Sequence, residues 1–257
     1  MLRWRIKLTA EMRLKMTTPK DNLTIQKSQS WEMFNSISSN YDFLNHLLSF
    51  GLDIHWRKKL AQLAPARAHL KLLDLATGTA DVIISLFKNN KNIESAVGID
   101  LAEKMLQIGQ GKINQAGLGD KVKLQIGNAG HLLLPSDHFD ITTMSFGIRN
   151  TTNSQQVLKE IYRVLKNEGR ALILEFSMPS NAFFRTVHLG YLRFGVPVIG
   201  FIFSGHYKAY KYLNQTIENF PYGKDFCRLM EQEGFKNVAA HQLLWGVATI
   251  YVGDKIR

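Results

Sequence analysis

The chain has 257 residues, 45% of them hydrophobic and 21% charged, with a formal net charge of +11. That balance excludes a disordered or collagen-like chain and allows one large α/β domain or two small ones. The single cysteine, Cys227, excludes an internal disulfide framework and a cysteine-rich zinc site, which fits a reducing, cytoplasmic setting, while the basic excess favours an anionic partner such as nucleic acid, a membrane face or an acidic ligand.

Residues 1–20 hold six basic residues against Glu11. They read as a basic arm or targeting segment, without the continuous apolar core of a secretory signal. The other reading is that translation starts at Met16. Residues 30–63 are helical by spacing: Trp31, Phe34 and Ile37, then Leu44, Leu47 and Leu48. Gly51 breaks the run, a second helix follows from about Asp53, and Pro65 ends it. Leu70–Leu75 is a short apolar strand flowing into Ala76-Thr77-Gly78-Thr79-Ala80, with a helix expected from Asp81. Ser95–Asp100, Lys121–Ile126, Ile141–Phe146 and Ala171–Phe176 are further strands, with helices around Met105 and Ile108 and around Val157 and Leu165. Strands alternating with helices of this length imply right-handed βαβ units and a parallel sheet.

Residues 178–221 break the rhythm with three of the six prolines and many aromatics. The segment reads as an insertion that could act as a lid. Its most apolar stretch, Phe194 to Phe203, has ten residues, whereas a membrane span needs roughly 20. A helix near 222–234 and two strand-like segments, 238–243 and 247–252, close the chain. A parallel sheet finishing in a tight hairpin is typical of S-adenosylmethionine (SAM) methyltransferases, whereas a nicotinamide domain would add a parallel sixth strand.

The turn from the first strand into the first helix is where open α/β sheets bind ligands. Asp74 opens this segment. Small residues at 76, 78 and 80 let backbone approach a ligand, Gly78 most closely because it has no Cβ. Thr79 precedes a helix N-terminus that suits a carboxylate. Asp100 ends the second strand, 22 residues after Gly78, where an acid can bind ribose hydroxyls. Asn128 and Ala129 end the third strand and could grip an adenine edge. Taken one at a time these are turn and capping residues; at three successive strand ends they form a nucleoside site. Neither Gly-x-Gly-x-x-Gly nor a P-loop is present.

Four stretches resemble one family closely: Tyr41-Asp42-Phe43-Leu44-Asn45, continuing to Ser49-Phe50-Gly51 and Trp56; Ser145-Phe146-Gly147-Ile148-Arg149-Asn150; Tyr162-Arg163-Val164-Leu165-Lys166 with Glu175-Phe176; and Tyr210-Lys211-Tyr212-Leu213 with Ile217, Phe220 and Pro221. The chain resembles the ubiquinone/menaquinone biosynthesis C-methyltransferases over roughly residues 30–254. The resemblance implies a Rossmann-like class I SAM-dependent methyltransferase spanning 21–257: a mostly parallel seven-stranded sheet with an N-terminal helical cap and an insertion lid. It implies methylation of a ring carbon of a polyprenyl quinol, with SAM as cofactor and no metal. Demethylmenaquinol is the expected acceptor, and the methoxy-benzoquinol precursor of ubiquinone the alternative. SAM contacts are implied at Thr79, Asp100, Asn128, Ala129 and Ser145. Ala80 and Leu132-Leu133-Leu134 depart from the family pattern.

The chemistry then needs a carbon nucleophile. Loss of the quinol hydroxyl proton pushes electron density onto the adjacent ring carbon, helped by a positive group beside the developing phenolate. Arg149 is the candidate for that group, and Asn150 for holding a water or the quinol oxygen. Tyr41, His55, Tyr207 and Tyr210 are candidate substrate contacts, with His206 a further relay candidate and Tyr212 on another helix face. Phe183, Phe184, Tyr191, Phe194, Val196, Val198, Ile199, Phe201 and Phe203 could line a groove for the prenyl tail. The basic surface suggests peripheral contact with the inner face of the cell membrane, and a homodimer stays open. No nucleic acid is expected, since Asn/Asp-Pro-Pro-aromatic is absent. An RNA methyltransferase and a non-catalytic scaffold are the rivals from other classes.

Overall fold

The computed structural model describes residues 27–204 and 207–257, without the side chains of 203–211. The basic tail and His206 therefore lie outside the described residues. Among the described residues, the helices ahead of the sheet include α1 (Ser30–Ile37), α2 (Tyr41–Leu48) and α3 (Leu52–Gln62). A 3-10 turn, Ser38–Asn40, divides the first helical run, and Gly51, at φ +75°, separates α2 from α3.

The sheet follows: β1 (Leu70–Leu75), α4 (Asp81–Asn89), β2 (Ile93–Asp100), α5 (Glu103–Gln115), β3 (Val122–Ile126), β4 (Phe139–Ser145), α6 (Ser154–Val164) and β5 (Leu165–Phe176). β1 and β4 are almost wholly buried, as near-continuous apolar runs in a parallel sheet covered on both faces should be. Then come α7 (Ala182–Gly190), a π-helical turn (Tyr191–Gly195), α8 (Val196–Ser204), α9 (Tyr207–Asn219) and α10 (Lys224–Gln232). β6 (Lys236–Leu243) and β7 (Ala248–Asp254) finish the chain.

The strand order is β3-β2-β1-β4-β5-β7-β6. β7 runs antiparallel between β5 and β6, the closing hairpin expected from the sequence. Its corner is sharp, with Leu244, Trp245 and Gly246 all at positive φ. The strand order reverses between β1 and β4, and the carboxyl ends of the first four strands face the same side. That is where an open α/β sheet offers a binding crevice.

One apolar core packs α3 and α4 against one sheet face, and a second packs α6 and α10 against the other. A third joins α2 to α7, the π-helical turn, α8 and α9 through Leu44, Leu189, Leu192, Val196 and Ile217. The N-terminal helices and the 178–221 segment are thus packed on each other over the strand ends.

Candidate active site

Two adjoining cavities lie over those strand ends. The first, of about 360 Å³, is lined by Ala76 and Gly78 after β1, Asp100 and Leu101 at the end of β2, Gly127–His131 after β3, and Ser145–Gly147 after β4. The second, of about 190 Å³, is mainly apolar, with Leu44, Trp56, Phe176, Leu192, Val196 and Ile217 in its wall. They share Phe34, Tyr41, Phe146 and Asn150.

The first cavity begins with a contorted loop. Ala76, Gly78 and Ala80 have φ of 49°, 55° and 63°. Only Gly78 adopts that conformation without steric penalty; the two alanines each bear about 1 kcal/mol or more, held in place by buried surroundings. Beneath the loop, Asp74 accepts hydrogen bonds from Thr77 Oγ1 and Thr143 Oγ1, both at 2.6 Å. Asp74 is 1% exposed, and burial raises its pKa to about 7 against the two hydroxyl hydrogen bonds that lower it. It lies outside both cavities. Its hydrogen bonds brace the loop from below.

Asp100 does face the cavity. Its Oδ2 accepts from Gly78 N and its Oδ1 from Ala102 N, each at 2.8 Å. Both oxygens keep lone pairs for a ligand. Burial raises its pKa, opposed by the Ala102, Gly78 and Leu101 N–H groups. Asn128 Oδ1 accepts from Gly130 N, which shapes the turn, and Ala129 lines the cavity beside it. Ser145 Oγ is buried, lines the cavity and has no partner. Gly147 closes the wall: a Cβ there would meet Ala76 Cβ at 2.5 Å.

Thr79, in the same loop, is tied into a polar network. Its hydroxyl donates to Asp42 Oδ1 at 2.6 Å and accepts from Lys112 Nζ. It is 3% exposed and outside both cavities. Lys112 also pairs with Asp42 and Asp81, so Thr79 locks α2 to the loop. In the next loop, Leu132 is buried, Leu133 is 89% exposed, and His131 lines the first cavity. Glu160 Oε2 accepts from Leu132 N while Arg163 donates to the Leu132 and Leu134 carbonyls. That pair holds the loop in the absence of the family's pattern.

At the junction, Arg149 is 4% exposed. Its Nη1 donates to Glu175 Oε1 and, at 2.7 Å, to the Phe146 carbonyl. Its backbone N–H donates to Glu175 Oε2, and its guanidinium lies 5.2 Å from the centroid of the Phe176 ring. Its Nε is buried without a partner. The charge is thus largely met by a fully buried carboxylate rather than a surface acid. Asn150 Nδ2 donates to the Phe146 carbonyl, and its Oδ1 has no partner. Tyr41 borders both cavities; burial pushes its phenol above the usual range, countered by the Asn45 side chain and the Arg149 charge. Trp56, Phe146 and Phe176 form an aromatic wall, with the Phe146 and Phe176 ring centroids 4.5 Å apart.

His55 is exposed and lines neither cavity. The side chains of Tyr207 and Tyr210 lie outside the described residues. Of the aromatic and aliphatic residues expected to line the groove, Tyr191 and Val196 do. Phe183, Phe194, Val198 and Phe201 are more than half exposed instead, and Phe184 stacks on Trp245 at 4.8 Å.

Two lining residues escaped sequence reading. Lys27 borders the first cavity, its ammonium pKa lowered by burial and by Arg149. His188 borders the second, buried on α7. The signal for His188 was its spacing with Leu192 and Val196, one helix face.

The model of the ubiE/COQ5 methyltransferase family matches residues 22–255. The chain is 38% identical over 233 residues to the ubiquinone/menaquinone biosynthesis C-methyltransferase UbiE of Geotalea uraniireducens, covering 91% of this chain and 99% of that protein. It is 39% identical to the demethylmenaquinone methyltransferase of Thermus thermophilus, covering 87% and 100%. A solved SAM-dependent methyltransferase from Thermotoga maritima shares the fold, with a TM-score of 0.64 at 17% identity, over 88% of this chain and 99% of that one.

Proposed function

Because the chain belongs to the ubiE/COQ5 methyltransferase family, we propose that it transfers the methyl group of SAM to a ring carbon of a polyprenyl quinol, with demethylmenaquinol as the acceptor. The observation that carries this reading is the junction of a polar cavity with an apolar one at Tyr41, Phe146 and Asn150. A nucleoside donor and a greasy ring can meet there.

The residues of the first cavity fit SAM. The Asp100 carboxylate suits a ribose diol, the Gly127–Ala129 segment an adenine edge, and the contorted loop at Gly78 close backbone approach. Ser145 Oγ, buried and unpartnered, would gain its missing hydrogen bond from the bound molecule. SAM, when bound, supplies a sulfonium methyl already activated for in-line displacement. The protein's work is then alignment, worth several kcal/mol of the barrier. Phe146, Trp56 and Phe176 flank the flat ring, and Asn150 offers Oδ1 to a ring hydroxyl. Arg149 stabilises a developing oxyanion through its free Nε–H, with Glu175 holding the guanidinium in place.

The prenyl tail leaves by way of α7 and α8. These two helices and the turn between them carry Phe183, Val187, Phe194, Val198, Phe201 and Ile202, each 56–75% exposed. None of the six belongs to the third core. An exposed apolar surface of this kind marks an interaction site. Among the described residues no helix is long and apolar enough to cross a membrane. With a net charge of +11, the apolar surface suits shallow insertion into an anionic bilayer, where the substrate resides. Phe194→Ser with Phe201→Ser should abolish sedimentation with phosphatidylglycerol vesicles and leave activity on a short-tailed quinol intact; unchanged sedimentation, or loss of a dimer instead, would rule out the membrane role. The acceptor itself is tested by offering reduced demethylnaphthoquinol and the benzoquinol precursor side by side with methyl-labelled SAM. Label in the naphthoquinol supports the reading, and label in the benzoquinol alone would assign the chain to the other branch.

A further inference from the structure

The second cavity is apolar, yet three buried polar atoms on its lining residues have no hydrogen-bond partner: Arg149 Nε, Asn150 Oδ1 and His188 Nε2. Folded proteins rarely leave such atoms unpaired, because each costs about 1–3 kcal/mol when desolvated. Groups that tolerate this together in one cavity are waiting for a polar ligand edge. A quinol ring in an apolar slot presents that edge in its hydroxyls.

Only one of the three atoms can take a proton. Arg149 stays charged, and an amide oxygen is not a base near neutrality. We propose that His188 is the proton acceptor for the ring hydroxyl of the quinol, an inference that rests on the acceptor reading above. The other titratable groups bordering the cavity are unsuited. The Asp53 carboxylate is taken up by His46, Ser49 and Arg57, and Arg57 by Asp53 and Asp81. Tyr41, Tyr191 and Tyr212 are phenols that burial pushes upward, so they remain protonated. Burial, with no charged neighbour contributing, holds the His188 imidazole below its ordinary pKa. It is therefore neutral, with a lone pair free, at the pH where the enzyme would work.

Atoms and electrons balance in the step. His188 Nε2 takes the hydroxyl proton, and the oxygen electron pair moves into the ring. The adjacent ring carbon forms the new bond to the methyl carbon as the carbon–sulfur bond breaks with its pair onto sulfur. That ring carbon then loses its hydrogen as a proton to water, which restores aromaticity, and the imidazolium returns its proton to the ring oxygen. One proton is released per turnover, and no oxidant or reductant is needed.

The test compares the wild-type protein with His188→Gln on reduced demethylnaphthoquinol, reading kcat, KM and their pH profiles, with SAM affinity measured by calorimetry. We expect kcat to fall about 100-fold or more, the range for loss of a general base, with quinol KM and SAM affinity changed less than about threefold. The wild-type kcat should show an acid limb below the ordinary histidine range of about 6.5, and the variant should lack it and recover partly with added imidazole. A merely packing role would change stability or KM and leave the limb in place. A kcat within about fivefold of wild type, or an acid limb retained in the variant, overturns the assignment. If His188→Gln fails to bind SAM because it is misfolded, the wild-type profile decides: a flat kcat from pH 5 to 7 overturns the assignment, and a limb sustains it. Failure of the wild type to methylate any quinol would instead overturn the acceptor reading, and this inference with it.

Discussion

Replacing Asp74 with asparagine should change how stability depends on pH. Asp74 is 1% exposed and is paired with two hydroxyls rather than with a cation, so burial prevails and its folded-state pKa rises from 3.8 to about 7. A raised carboxyl pKa means that the folded state binds the proton more tightly than the unfolded chain. The stability that this gives is full below about pH 4 and is lost as pH rises through 7. At 1.36 kcal/mol per unit, the loss between pH 5 and pH 8 is on the order of 3 kcal/mol. The amide of the Asp74→Asn variant keeps an acceptor and stays neutral throughout, so it carries no such slope. Urea unfolding of both proteins at several pH values measures the difference directly. The variant should gain on the order of 3 kcal/mol on the wild type between pH 5 and pH 8. A difference that stays constant across that range would refute the claim that burial raises the Asp74 carboxyl pKa beneath the loop.

Other perturbations separate ligand contacts from supports. Asp100→Ala should weaken SAM binding on the order of 100-fold, since two hydrogen bonds to a charged group contribute about 3 kcal/mol together; calorimetry with an unchanged affinity would remove Asp100 from the site. Gly147→Ala should also lower SAM affinity, because the new methyl meets Ala76 Cβ at 2.5 Å and the loop must move; Gly111→Ala, in open space, should leave affinity untouched. Arg149→Ala strands the buried Glu175 carboxylate and should cost about 3–5 kcal/mol of stability, part of which Glu175→Gln restores in the double variant; additive losses in urea unfolding would contradict a direct pair.

The sheet was legible because its strands are short apolar runs at helix-length intervals, and the hairpin because two such runs lie a few residues apart. That Asp100, Asn128 and Ala129 line one cavity was legible because strand ends converge at one place in this topology. Asp74 and Asp100 look alike in sequence, each an acid near a strand end. What separates them is the pairing of Asp74 with Thr143 across β1 and β4, which places a hydroxyl from a distant strand against it. The Thr79–Asp42 contact spans 37 residues and leaves no local signal. His55 stands beside the buried Trp56 in sequence, but one step along a helix turns a side chain by about 100°, out of the site and into solvent. His188 was hidden for the opposite reason. α7 and α8 are apolar on both faces, so composition could not say which face packs inward. The exposed surface at Phe183, Val187, Phe194, Val198 and Phe201 and the buried face at His188, Leu192 and Val196 are separated only by the fold.

Transfer of the methyl group to a carbon of a quinol ring, at the junction of the two cavities, is tested most directly by a single turnover. Carbon-13 methyl-labelled SAM is mixed with the enzyme and reduced demethylnaphthoquinol, and the product is read by nuclear magnetic resonance. One labelled methyl group bonded to a ring carbon is the expected result. Label on a quinol oxygen, or label that appears only when RNA is supplied, would contradict it.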